Sequence, residues 1–337
     1  VKVHLHCFQY NDKKESNILN SLCDQVDYYP RKSFFKSFYK SVPYIIDSRQ
    51  SEEMLSKLIE DDFPILFEGL HTCFYLNHPS LKNHRKVVWM HNIESDYYHH
   101  LGEAEKNIFS KIYFSTESKK LKEYESILSN ADAIVGVSRN DAAYYQEKYQ
   151  KGHYIPAFHR NSEVLSKEGK GAYLLYHGSL DVVENHQAAM WLIEKVASKL
   201  EIPFIIAGKN PKSSLKDSIK KYPHISLKEN TSFEEMDQLI ADAHIHLLPT
   251  FQDTGIKHKL LNALYNGRFV LANDKMVANT GLESLCLVHN TSEEMIHTIQ
   301  LLMDRSFDKV QIERRKSILM DEFNNDKNIL KLIELLK

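Results

Sequence analysis

An α/β fold of two Rossmann-like domains facing across a cleft is what the sequence predicts, and three observations predict it. The chain of 337 residues exceeds the roughly 250–300 residues at which one hydrophobic core stops growing. Short β-branched or aromatic runs alternate with longer amphipathic segments along its whole length, which is the rhythm of β-α-β units. That rhythm lapses at residues 155–171, where Pro156, Asn161, Ser162, Ser166 and several Gly and Lys positions give the composition of an interdomain linker. The expected organisation is therefore a first domain over 1–157, a second over 158–308, and a helical segment over 309–337 that is free to pack back on the first domain.

In the first half, strands are expected at 1–9, 25–29, 65–68, 87–91 and 131–138, with a helix at 13–23 and a polar helical span at 102–129. In the second half, strands are expected at 172–176, 203–207, 225–227, 245–248 and 269–272. Helices fall between them at 185–200, 213–221, 233–243 and 256–265, with another at 292–303 and one or two more over 311–337. Strands that read as continuous apolar runs between helices imply parallel sheets covered on both faces. In such sheets ligands bind at the carboxyl ends of the strands, where helix N-termini attract anions, so a ligand site between the two domains is expected.

Charge and cysteine usage narrow the function. With 43 basic against 45 acidic residues the chain lacks the basic surplus of a general nucleic-acid binder. Cys7, Cys23, Cys73 and Cys286 show no Cys-x-x-Cys spacing, which suggests neither a disulfide framework nor a zinc knuckle. Reduced thiols, the absence of a basic-then-apolar leader and the lack of an apolar run near the ~20 residues a bilayer requires lead to the expectation of a cytoplasmic protein.

The most informative stretch is 249–268, PTFQDTGIKHKLLNALYNGR, which runs from a strand end through a glycine turn into a helix. Gly255 permits close backbone approach, the N–H groups from Ile256 onward open a helix, and Lys257 and Lys259 supply positive charge for a diphosphate. This stretch resembles the donor-site pattern Gly-x-x-x-Lys-Leu/Val-Leu-Glu-Ala-Leu-Ala-x-Gly-x-Pro-Val-Val of the family 4 glycosyltransferases of the GT-B fold, matching it at Gly255, Lys259, Leu260, Leu261, Ala263, Leu264, Gly267 and Val270. Further matches follow the same order along the chain. Residues 176–181 (YHGSLD) with Asn185 and Trp191 are similar to the segment whose glycine turn lies beside the donor phosphates, here Gly178 and Ser179. Residues 205–209 resemble the next strand and its turn, ending in Lys209, and 228–230, ending in Asn230, fall where the nucleotide base is contacted. Residues 89–98 resemble the acceptor-side Arg-x-His-Asn-x-Glu segment, and Val137, Ser138 and Asp141 the strand end before the linker.

The resemblance implies a metal-independent, retaining glycosyltransferase of the hexosyltransferase type, with no cofactor beyond a nucleotide-sugar co-substrate. A glycan or lipid-linked acceptor and a role in surface polysaccharide or glycoconjugate assembly are implied with it. Two glutamates that family members carry eight positions apart are Thr254 and Asn262 here; Asn262 can still hydrogen-bond a ribose, and Asp253, one residue from the first, is the catalytic candidate to replace it. His91 and Glu94 follow an apolar strand, where a catalytic base or an acceptor-orienting pair would sit. No Asp-x-Asp occurs, in keeping with a metal-free site, and the pairs His4/His6, His99/His100 and His244/His246 lack metal-ligand spacing. Residues 31–40 interleave aromatic and basic side chains, a composition suited either to an anionic membrane surface or to a helix burying its aromatics. Two alternatives stand beside the transferase: a nucleotide-sugar epimerase on the same fold, and a non-catalytic nucleotide-sugar-binding partner.

Overall fold

The computed structural model describes residues 1–10, 16–32, 41–105, 107–251 and 257–337. The chain divides into two compact units, one of residues 1–155 with 329–337 and the other of residues 156–328.

The first unit carries a two-stranded parallel sheet of β1 (His4–Phe8) and β2 (Gln25–Tyr29), and a four-stranded parallel sheet of β3 (Ile65–Glu68), β4 (Lys86–Met90), β5 (Ala133–Gly136) and β6 (Gly152–Tyr154) in that order. Every residue of β4 and β5 is buried, as expected of central strands covered on both faces. The strand expected over 131–138 stops early because Ser138 caps the helix Arg139–Tyr149, its hydroxyl accepting from the Asp141 N–H at 3.0 Å. The polar span expected as one helix over 102–129 is two, Glu94–Ala104 and Ile108–Tyr124. Asn107 interrupts it by capping the second, accepting from the N–H groups of Phe109 and Ser110 at 2.9 and 3.2 Å, a preferred role for Asn at an N-cap.

The second unit holds one six-stranded sheet of β7 (Leu174–His177), β8 (Phe204–Gly208), β9 (Ile225–Glu229), β10 (Ile245–Leu248), β11 (Phe269–Ala272) and β12 (Leu287–Val288). Their order is β9-β8-β7-β10-β11-β12, all parallel. The chain winds outward from β7 to β9, then returns past β7 to build β10 to β12. This is the Rossmann order, and its reversal point lies between β7 and β10.

Two helices of this unit depart from expectation. The one expected over 185–200 is an α-helix, Val183–Trp191, then a π turn, Leu192–Val196, and a 3-10 turn, Ala197–Lys199. Its buried apolar residues recur in pairs four apart: Ala188 and Ala189, Leu192 and Ile193, Val196 and Ala197. A 3.6-residue repeat would rotate such pairs off the core face, and the wider π turn keeps them on it. The helix expected from Ile256 begins at His258, because Lys257 is its non-helical N-cap with φ −93° and ψ 49°. At the C-terminus, Lys309–Glu322 and Asn325–Leu336 are separate helices. The first lies within the second unit, and residues 329–337 of the other belong to the first. Among the described residues no helix is long and apolar enough to cross a membrane.

Candidate functional site

In the second unit, the strand ends on either side of the reversal point are tied together by the side chain of Asn185. The amide Nδ2 donates to the Ser179 carbonyl at 3.0 Å, and Oδ1 accepts from the Lys259 ammonium at 2.5 Å. Tyr176 donates its hydroxyl to the Asn185 carbonyl at 3.0 Å, and the Lys259 Nζ lies 5.3 Å from the centre of the Tyr176 ring. Thus the Gly178–Ser179 turn after β7 and the first turn of the helix His258–Asn266 form one polar cluster. A Cβ at Gly178 would meet the Asn185 side chain at 3.2 Å. Gly208, at the end of β8, is under a harder constraint: a Cβ there would lie 1.8 Å from the Gly178 carbonyl oxygen.

Lys209 and Asn230 join this edge from the neighbouring strand ends. The Lys209 carbonyl accepts from the Leu180 N–H at 2.9 Å, and its ammonium stands 5.5 Å from the ring centre of Phe233. Asn230, in the left-handed region with φ 56°, donates its N–H to the Gly208 carbonyl and accepts from the Asn210 N–H at 3.0 Å. Asn262 lies on the helix His258–Asn266, but its side-chain oxygen accepts from Asn161 at 3.0 Å. Lys257 is half-buried at the head of that helix. Asp253, Thr254, Gly255 and Ile256 lie outside the described residues.

Electrostatics follow from burial. Desolvation pushes the Lys259 ammonium down to about 8, aided by Lys257 and opposed by Glu184. Beneath it, His177 at the end of β7 and His246 within β10 stand edge to face at 6.0 Å, and among the described residues no hydrogen bond of ordinary geometry reaches a ring nitrogen of either one. Burial, with Lys259 adding to it, pushes the His177 imidazole down to about 3. Burial first, and then His177 and Arg315, hold His246 well below its ordinary value. Both rings are neutral at physiological pH, as apolar packing requires. A Cβ at Gly267 would meet the His246 ring at 2.0 Å, so glycine there makes room for the imidazole.

The first unit presents a different set. His91 follows β4 and its Nε2 lies 3.1 Å from the carboxylate of Glu68, the last residue of β3. Glu94, buried at the start of the helix Glu94–Ala104, lies 3.8 Å from Nδ1 of His71. Gly69 separates the two pairs with φ 85°, and a Cβ there would strike the His71 ring at 2.7 Å. The structure thus gathers His91 and Glu94 near Glu68 and His71, two residues that sequence reasoning missed. Only the place of Glu68 left a trace in the sequence, at the end of an apolar strand before a glycine, and neither pairing did.

The remaining histidine pairs do other work. His4 bonds Asp61 at 2.7 Å and His6 the Tyr29 hydroxyl at 2.9 Å, while His244 bonds the Leu302 carbonyl at 2.7 Å. His99 lies 3.5 Å from Glu103, one helical turn on. Among the described residues no three His, Cys, Asp or Glu side chains gather as a metal-binding group. Of the basic and aromatic stretch at 31–40, residues 33–40 lie outside the described residues. Arg31 stacks on the ring of Tyr10 at 4.4 Å and bonds the Ser48 hydroxyl.

No family model matches the chain. An uncharacterized 44.6 kDa protein in the cps region of Klebsiella pneumoniae is 25% identical over 289 residues, which covers 80% of this chain and 73% of that one. An α,α-trehalose-phosphate synthase (UDP-forming) from Burkholderia xenovorans, solved with glucose-6-phosphate, is similar with a TM-score of 0.59 at 10% identity, over 99% of this chain and 93% of that one. HepE of Anabaena, in complex with UDP and glucose, gives 0.64 at 11% identity over 99% of each chain. TarM of S. aureus, in a complex that includes UDP, gives 0.62 at 14% identity over 85% of this chain and 58% of that one. These likenesses show the fold of the chain, which is the GT-B architecture of two Rossmann-like α/β domains.

Proposed function

We propose that the protein is a glycosyltransferase of the family 4 type that moves a hexose-class sugar from a nucleotide-sugar donor to a glycan or lipid-linked acceptor in surface polysaccharide assembly. The observation that carries this reading is the cluster at the reversal point of the second unit, where Gly178, Ser179 and the Lys259 ammonium are held together by Asn185. A helix N-terminus and a lysine beside a glycine turn suit a diphosphate. The relative in a cps region and similar structures that carry UDP support the substrate class.

In this reading the donor diphosphate lies against Lys259 and the head of the helix His258–Asn266, with Lys209, Lys257, Asn230 and Asn262 around it. Departure of the nucleoside diphosphate develops negative charge, and donors already aimed at that charge lower the barrier without a metal. The absence of Asp-x-Asp from the sequence agrees with metal independence, and we read the reaction as retaining by resemblance. In the first unit, His91 and Glu94 orient the acceptor, with Glu68 holding the His91 ring.

The test is calorimetry and thermal shift of the protein with UDP-, GDP-, CMP- and dTDP-sugars, with and without EDTA, because a ligand of the native state raises the melting temperature. One nucleotide class should bind, insensitive to chelator; binding of none would sink the reading. A second reading has one observation behind it: Thr254 and Asn262 stand where family members carry two glutamates, as in a partner that binds donor without turnover. Donor binding with no release of nucleoside diphosphate in the presence of any acceptor would favour it.

A further inference from the structure

We propose that Asn185 is a positioning residue that holds the Lys259 ammonium with a neutral amide, leaving its charge uncompensated for the diphosphate of the donor. The proposal rests on the functional reading above and adds to it the residue that keeps the charge available.

The geometry fixes the argument. The hydrogen-bond partners of Lys259 are Asn185 Oδ1 at 2.5 Å and the Tyr176 hydroxyl at 3.5 Å, and neither carries charge. Among the described residues no carboxylate comes within ion-pair distance of it, and Glu184 acts on it only as the weakest of three influences. Two other lysines are held by carboxylates instead: Lys57 meets Asp27 at 2.7 Å and Lys148 meets Glu125 at 2.5 Å. Those cations are neutralised by their partners, whereas Lys259 is desolvated and oriented without being neutralised.

An amide is the side chain that can do this. Asn185 must accept from an ammonium and donate to the Ser179 carbonyl at the same time, and an amide offers both an acceptor and a donor. A carboxylate has the same shape but cannot donate to that carbonyl, and it would add a charge against the incoming phosphates. An aliphatic residue would leave Lys259 and the turn without their link. A Cβ at Gly178 would stand 3.2 Å from the Asn185 side chain, so glycine in the turn makes room for the amide.

A cation desolvated in this way is costly in the empty site, and a diphosphate would relieve that cost. Binding should therefore weaken as pH rises through about 8, where the ligand-free ammonium loses its proton.

Two variants test the role. In Asn185→Asp, an opposite charge at the same distance should raise the titration of Lys259 by about one unit or more. That titration is read in the ligand-free protein by NMR of ¹³C-methylated lysines, with the signal assigned by its loss in Lys259→Arg. The alkaline limb of UDP or GDP binding should move up by the same amount, and affinity at pH 7.5 should fall about tenfold or more. A residue that merely braced the turn would not move the titration of Lys259, so an unmoved titration overturns the proposal. Should Asn185→Asp fail to fold, Asn185→Ala carries the test: it should weaken nucleoside diphosphate binding several-fold in the wild-type background and add nothing in Lys259→Ala. Equal losses in both backgrounds would show that Asn185 does not act through Lys259. If the wild type binds no nucleoside diphosphate, the functional reading falls and takes the ligand of this proposal with it. The titration of Lys259 in Asn185→Asp still decides the arrangement by itself.

Discussion

Among the described residues, Lys259 at the strand ends of the second unit meets neutral oxygens, whereas at those of the first unit His91 faces Glu68 and His71 faces Glu94. Both sets grow from the same construction, in which parallel strands end in turns that lead into helices. Their charge is arranged in opposite ways. A cation without a carboxylate partner near a helix N-terminus favours an anion, while imidazole–carboxylate pairs offer oriented donors and acceptors to neutral hydroxyls. One module repeated in a chain can therefore be given two chemistries by a few residues at the strand ends.

The largest expected effect breaks the cation-bearing set by force. In Gly208→Ala the new Cβ falls 1.8 Å from the Gly178 carbonyl oxygen, so the ends of β7 and β8 must separate. The cost should be about 3 kcal/mol, at the upper end for overpacking, read as a lower urea midpoint, and nucleotide binding should go with it. Retained stability would mean that the turn yields easily and that its close fit does not matter.

The next variant separates the two sets. His91→Ala should lower turnover about 100-fold, as loss of an acid–base or orienting imidazole does, while calorimetric affinity for the nucleoside diphosphate stays unchanged. If affinity fell as well, the two sets would not be independent. Lys259→Ala should do the reverse, weakening nucleoside diphosphate binding by roughly 2 kcal/mol, about thirtyfold. Its melting temperature at pH 7 should hold or rise, since an uncompensated desolvated charge is removed.

A smaller and graded effect concerns the histidines beneath the second set. The folded-state values of His177 and His246 are both depressed, the former to about 3. The unfolded chain thus takes up protons that the folded one refuses. Stability is full above pH 6.5 and falls as pH drops below it, by about 1.4 kcal/mol per pH unit for each imidazole. Urea midpoints between pH 7 and 5 check this, and His177→Phe should flatten the slope by one proton's worth.

The same comparison shows what was legible in the sequence. Apolar runs such as β7, β10 and β11 could be read because buried parallel strands are dominated by apolar residues, and His177 and His246 are single interruptions in the first two. β12, two residues long, and β6, three, are too short to show a period. Local capping decided where helices began, and Ser138, Asn107 and Lys257 each moved a boundary that periodicity had set elsewhere. Of the cation-bearing set, Lys259 and the Gly178–Ser179 turn could be picked out in two separate stretches, 249–268 and 176–181, but the link that Asn185 makes between them comes only from the fold. Glu68 and His71 could not be picked out, because each takes its meaning from a residue more than twenty positions away, and only the pairing of β3 with β4 brings them together. His177 and His246 likewise lie on strands distant in sequence that the sheet makes adjacent.

Arg315 bears on how such a chain could be cut and recombined. From the helix Lys309–Glu322 its buried guanidinium donates to the carbonyls of Leu264, Gly267 and Arg268, which are left open where the helix His258–Asn266 ends. A chimera joined after residue 308, at the edge of the last sheet-covering helix, would carry the lysine-bearing helix but lose the cation that closes its far end. The smallest transplantable form of the second unit therefore runs to about residue 328, and homologous recombination within this architecture is expected to tolerate a crossover after Lys309–Glu322 better than one before it.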